Sequence, residues 1–313
     1  MLIDTDTASD DAVALIMALQ SPDVDVLAIT VVAGNVGVTQ ASRNALYVAE
    51  LCGSAVPVYA GAPAPLSRPA VPADWFHGRD GLGDHGYPPP SRALESGHAV
   101  DAIIQTIEAN PGLTLVTLGP LTNIALALTR QPDIASKVGR CVVMGGNPCC
   151  EGNVTPAAEY NIWCDPEAAA IVLGSGMPVD LVGWHLCRGE AVLNAGDIAH
   201  VLSLDTPLAR FAIECNSSAM EAYRVQTGET GVSLPDPVAM SIALDASICT
   251  MRTTHAVQIE TGSELTRGMT VVDRLNACRD DRNREVWKGA PRAGICWTLD
   301  VPRWKQALYA SLR

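Results

Sequence analysis

Short apolar runs alternate with helix-periodic runs through the first half of this 313-residue chain, and no feature constrains its fold more. Strands are expected at residues 1–5, 24–32, 56–60, 113–117, 141–144 and 179–182. The 24–32 run is nearly continuous in β-branched and apolar residues, as suits a strand buried on both faces. Between them, residues 10–20 place Ala12, Leu15, Ile16 and Leu19 at helical spacing, and Thr39 is placed to cap a helix reaching residue 51. Further helices are expected at 99–109, 121–129 and 165–173. This βα alternation predicts an α/β fold: an open, mostly parallel, Rossmann-like sheet flanked by helices on both faces. In that architecture ligands bind outside the carboxyl ends of the strands.

Two stretches break the rhythm. Residues 61–97 are rich in Pro and Gly and carry Trp75, Phe76, His77 and His85, a length of loop that usually serves function. Residues 190–230 read as a helical insertion. An extra β-ribbon is expected near the C-terminus at 255–260 and 268–273, then a strand at 295–299 and a last helix from Pro302. With no repeat or linker in view, the chain is expected to form a single domain over 1–313.

Composition removes several function classes. Lys and Arg number 21 against 34 Asp and Glu, a formal charge of −13, and lysine occurs only at Lys137, Lys288 and Lys305. A protein that neutralises many phosphates needs the opposite balance, so no nucleic-acid or membrane partner is expected. No apolar run approaches the roughly 20 residues of a membrane helix, and the opening residues lack a basic leader segment. The ten cysteines form no C-x-x-C pair, which suits reduced thiols. The expected location is the cytoplasm.

Asp4, Asp6, Asp10 and Asp11 fall within eight residues, directly after the first apolar strand. Carboxylates this close repel one another. Either some protonate or the group holds a cation. Oxygen-only ligands suit a hard ion such as Ca²⁺ or Mg²⁺ rather than zinc. Asp10 and Asp11 also sit where a helix would start, and carboxylates there complement the helix dipole.

The run Asp4-Thr5-Asp6-Thr7-Ala8-Ser9-Asp10-Asp11-Ala12 resembles the D-x-D-x-x-x-D-D-A opening of the inosine/uridine-preferring nucleoside hydrolases. Further motifs follow in that family's order: Val32-Ala33-Gly34-Asn35, Leu118-Gly119-Pro120-Leu121-Thr122-Asn123 and Met144-Gly145-Gly146. The 152–161 segment, Asp165-Pro166-Glu167-Ala168 and Asp236-Pro237-Val238-Ala239 complete the set, so the resemblance spans nearly the whole chain. It implies hydrolysis of the N-glycosidic bond of ribonucleosides to ribose and free base, with calcium as cofactor and a homodimer or homotetramer as the assembly.

The resemblance also implies roles. Asp6 is the general base and a calcium ligand. Asp11, Asp236 and the backbone carbonyl of Leu118 are further calcium ligands. Asp10, Asn35, Asn153, Glu159 and Asn161 bind the ribose hydroxyls, with Met144 nearby, and Asp4 holds the metal-binding loop. Such a site is chemically coherent, because hydrolysis passes through a ribosyl cation and needs a deprotonated water.

Two departures concern the leaving base. Many members resembling this family carry a His directly before the late Asp, as the leaving-group acid, and here that residue is Pro235. The 183–188 segment, Gly-Trp-His-Leu-Cys-Arg, also differs from the usual pattern. Candidates for the base end are Trp184 by stacking, His185 as proton donor, His77 from the long loop, and Tyr223 with Arg224 from the helical insertion. Two other readings remain open. One is a haloacid-dehalogenase-like phosphatase using Asp4 and Asp6, although Lys137 is its only mid-chain lysine. The other is a nucleoside- or sugar-binding protein without turnover, suggested by Pro235.

Overall fold

A computed structural model describes residues 1–313. Nine strands form its sheet: β1 Leu2–Thr5, β2 Ala28–Val31, β3 Val58–Ala60, β4 Thr114–Thr117, β5 Arg140–Met144, β6 Val179–Val182, β7 Cys249–Ile259, β8 Thr270–Val272 and β9 Arg292–Leu299. Their order is β3-β2-β1-β4-β5-β6-β9-β7-β8. Every pairing from β3 across to β9 is parallel. The antiparallel ribbon of β7 and β8 then extends the far edge. The fold is therefore the expected open α/β sheet.

Helices cover both faces. On one lie α1 Ser9–Leu19 and α2 Val38–Leu51; on the other lie α4 Ala99–Ala109, α5 Thr122–Arg130 and α7 Pro166–Gly174, with the short α3 Asp74–His77 and α6 Tyr160–Cys164 in connecting segments. The helical insertion supplies α8 Ala195–Ser203, α9 Pro207–Glu214 and α10 Ser217–Thr227. It is followed by α11 Pro235–Leu244, α12 Arg284–Trp287 and α13 Val301–Ser311. Helix α1 is buried from Ser9 to Ala18, since α2, α9, α11 and α13 all pack around it. That position explains why it is apolar on nearly every side after its acidic first turn.

Several boundaries differ from expectation. Strand β2 starts at Ala28, because β1 is only four residues long and its first cross-strand bond is Leu27 N–H to the carbonyl of Met1. Helix α2 starts at Val38 with Gly37 as its cap, so Thr39 lies inside the first turn. Strand β7 begins at Cys249, well before residue 255; its first half is mostly exposed and is held by the ladder to β9. Helix α11 has no counterpart among the expected helices. Pro235 in fact occupies the first helical turn, where its missing N–H costs nothing.

β1 has β2 on one side and β4 on the other, so the chain direction of the connections reverses between β1 and β4. The carboxyl ends of these two strands carry Asp6 and Leu118, which places the acidic motif at the topological switch point.

Candidate active site

Two helix N-termini deliver carboxylates to the same place. Asp10 and Asp11 stand in the first turn of α1, Asp236 in the first turn of α11, and the two helices pack together. Oxygens of Asp10, Asp11 and Asp236 lie within 4.8 Å of one another, all buried. The partial positive charge of both helix starts favours anions here. Asp11 is fixed by Thr5 Oγ1 at 2.5 Å and by the Ala8 N–H at 3.0 Å.

Asp6 approaches from the end of β1. Its Oδ2 accepts the Asn35 N–H at 2.6 Å, and its Oδ1 is buried with no partner. Gly119 presses against it: a Cβ there would lie 2.6 Å from Oδ1. Asp4 sits one layer below, accepting Thr30 Oγ1 at 2.5 Å and Asn123 Nδ2 at 2.8 Å.

The electrostatics of this floor are unusual. Burial pushes the carboxyls of Asp10 and Asp11 up to about 6 and that of Asp4 to about 7. Burial and the neighbouring aspartates drive Asp6 and Asp236 well above the ordinary carboxylate range. No Lys or Arg pairs with any of them; the one ion-pair contact is His77 Nδ1, 3.8 Å from Asp10 Oδ1. Unpartnered buried oxygens on Asp6 and Asp10, in an all-oxygen set, fit a hard cation.

Above the floor lies a cavity that opens to solvent. Asp10, Asn35, Leu118, Met144, Asn153, Glu159, Asn161 and Asp236 all line it. Glu159 caps α6, accepting the N–H groups of Asn161 and Gly146 at 2.8 Å each, and burial raises its carboxyl to about 7. Asn161 Nδ2 donates to the Leu118 carbonyl at 2.7 Å, and Asn153 Oδ1 accepts the Tyr160 N–H at 2.8 Å. Thus α1, the segments that follow β2, β4 and β5, and α11 converge on one hollow.

The base-end candidates divide. His77 and Trp184 line the cavity. His77 Nδ1 bonds Ser9 Oγ at 2.9 Å, and burial drops its pKa to about 4. His185 and Tyr223 are not among the lining residues. His185 turns under the sheet end, with Nε2 on the Cys296 carbonyl at 2.9 Å and its ring 5.8 Å from that of Trp297. Tyr223 is buried in the core face of α10 and donates its hydroxyl to Glu229. Arg224 pairs with Glu221 on the exposed face of the same helix. Conversely, Phe76, Tyr160, Asn216, Ser233 and Gln226 line the cavity without having been singled out. The clustering of aromatics in the long loop was the one signal that pointed to Phe76.

A family model described as inosine-uridine preferring nucleoside hydrolase matches residues 1–306. The chain belongs to that family. Members of this family are metal-dependent enzymes that hydrolyse the N-glycosidic bond of ribonucleosides, and this chain is an enzyme of that type. Among curated relatives, a pyrimidine-specific ribonucleoside hydrolase of Salmonella paratyphi A is 38% identical, covering 94% of this chain and 95% of its own. A plant nucleoside hydrolase structure superposes with a TM-score of 0.92 at 32% identity, covering 99% of this chain and 98% of its own. A purine-preferring ribonucleoside hydrolase from Gardnerella vaginalis gives 0.87 at 32% identity, covering 99% and 97%. Nothing in these nucleoside hydrolase matches supports the phosphatase or the binding-only reading.

Proposed function

We propose that this nucleoside hydrolase works with Asp6 as general base beside a calcium ion. The observation that supports this most directly is the buried carboxylate floor, which has unpartnered oxygens and no Lys or Arg paired with it. Asp6, Asp11, Asp236 and the Leu118 carbonyl would hold the ion, with Asp10 close enough to share it. A mixed carboxylate and carbonyl set with room for sugar hydroxyls suits calcium, which accepts six to eight oxygens, better than strictly octahedral magnesium. When bound, such an ion would lower the pKa of an attacking water and anchor vicinal hydroxyls.

The chain's own residues do the rest. Asp6, held by the Asn35 N–H, takes the water proton. Asp10, Asn35, Asn153, Glu159 and Asn161 grip the ribose hydroxyls, and Met144 packs beside them. The anionic floor stabilises positive charge as it builds on the sugar. Trp184, His77 and Phe76 surround the base. Asp4 anchors the Asp6 loop through Thr30 and Asn123. Residues 1–313 act as one domain.

No helix is long and apolar enough to cross a membrane, and we place the enzyme in the cytoplasm as a homodimer or homotetramer.

Reducing-sugar release from inosine, adenosine, guanosine, uridine and cytidine, with calcium present, tests the reading. The intact protein should release ribose and Asp6→Asn should lose at least about 10³-fold in kcat. Equal rates for the two proteins would remove Asp6 from the base role.

A further inference from the structure

Apart from the carboxylate floor, the cavity lining holds a fixed, buried amide whose acceptor is unused. Asn216, the residue before α10, is fully buried and lines the cavity. Its Nδ2 donates to the carbonyls of Ala212 at 2.9 Å and Ser9 at 3.3 Å. A flipped amide would set two carbonyl oxygens against its own, so the orientation is determined. The backbone is also spent: its N–H goes to Ile213 and its carbonyl accepts from Met220. Only Oδ1 has no partner. A buried acceptor in that state is costly unless a ligand satisfies it.

The position before Asp236 lacks an acid, and the one imidazole lining the cavity, His77, engages Ser9 Oγ through Nδ1. Pro235 has no side-chain proton, and Trp184, Phe76 and Ala219 offer no acidic one. Ser233 spends its hydroxyl on the Cys187 carbonyl at 2.9 Å. The departing base must nevertheless receive a proton or leave as an anion. An acceptor such as Asn216 Oδ1 disfavours an anion and favours a base bearing an N–H.

We infer that Asn216 is a leaving-group residue: its side-chain oxygen accepts a hydrogen bond from the ring N–H that the base gains from solvent. This rests on the hydrolase reading above. In the step, the C1′–N bond breaks with its electron pair passing to the base, and a solvent proton settles on a ring nitrogen. A C1′–O bond forms to water, whose proton goes to Asp6. The ribose hydroxyls are read by other residues, so Asn216 is free for the base.

The test compares a nucleoside with p-nitrophenyl β-D-riboside, whose aglycone departs as a stable anion and needs no proton. Asn216→Leu should lower kcat/KM for the best nucleoside about 10- to 100-fold and for the nitrophenyl riboside by less than about 3-fold. Both substrates are assayed on one preparation, so a reduced folded fraction cancels from their ratio. If Asn216→Leu does not fold, Asn216→Ala removes the same acceptor without added bulk, and the same ratio is read. Equal losses on both substrates, or no loss on the nucleoside, would overturn the assignment. An intact protein that releases ribose from neither substrate would instead overturn the hydrolase reading beneath it.

Discussion

The backbone N–H of Asn35 donates to Oδ2 of Asp6 at 2.6 Å, joining the ends of β1 and β2 through a carboxylate. The bond leaves Oδ1 as the free oxygen of Asp6, and Gly119 forms the wall against which that oxygen rests.

Gly119→Ala should therefore be an active-site mutation without changing any polar group. Its Cβ would fall 2.6 Å from Asp6 Oδ1 and 3.0 Å from the Asp6 backbone nitrogen, so Asp6 must move. A displacement near 1 Å is expected to cost about 100-fold in kcat. Circular dichroism should show a folded protein; wild-type kcat would contradict the placement of Asp6.

Chelation should remove activity and stability together. Buried carboxylates that repel one another lose their neutralising partner, and a ligand present at 100 times its Kd contributes about 2.7 kcal/mol. Thermal melts with a calcium chelator should fall by several degrees and recover on adding calcium. A melting temperature indifferent to the chelator would argue against a resident cation.

The Glu159 carboxyl, raised by burial from 4.5 to about 7, gives stability a pH slope. The folded state binds this proton more tightly than the unfolded state does. The contribution is thus fully present below about 4.5 and is lost as pH rises through about 7. The span is on the order of 3 kcal/mol. Urea melts of the chelated protein should show a shallower decline between these pH values for Glu159→Gln than for the intact chain. Parallel declines would mean that Glu159 titrates normally.

His185→Ala should leave kcat within about 3-fold, because the imidazole bonds the Cys296 carbonyl away from the cavity. Removing that half-buried ring should lower the unfolding free energy by about 1–3 kcal/mol. Tyr223→Phe should behave alike in kcat, as its hydroxyl serves Glu229. A 100-fold fall in kcat for either would return it to the leaving-group end.

The architecture and the carboxylate floor were legible because their signals are local. β1 opens on the apolar pair Leu2 and Ile3, and its acidic tail sits at a strand end in any α/β fold. Strand β7 was half hidden, since residues 250–254 are exposed and mostly polar and are ordered by β9 rather than by their own pattern. The base end was the least legible part. Trp184 and His185 are adjacent in sequence, yet one lines the cavity and the other turns to Trp297; a short 3₁₀ turn decides it. Asn216 carried no sequence signal at all. Its importance comes from which of its atoms are already bonded, a property of three-dimensional packing alone.

The pairing of α1 with α11 has a consequence for synthesis. One part of the floor is made within the first dozen residues, the other only at Asp236. A ribosome-bound chain shorter than this holds three or four aspartates with nothing to close the ring. Full cation affinity can arise only after α11 has left the exit tunnel and docked on α1. The ion would then act as a late checkpoint on biogenesis, rewarding completed chains and leaving truncated ones open to proteolysis.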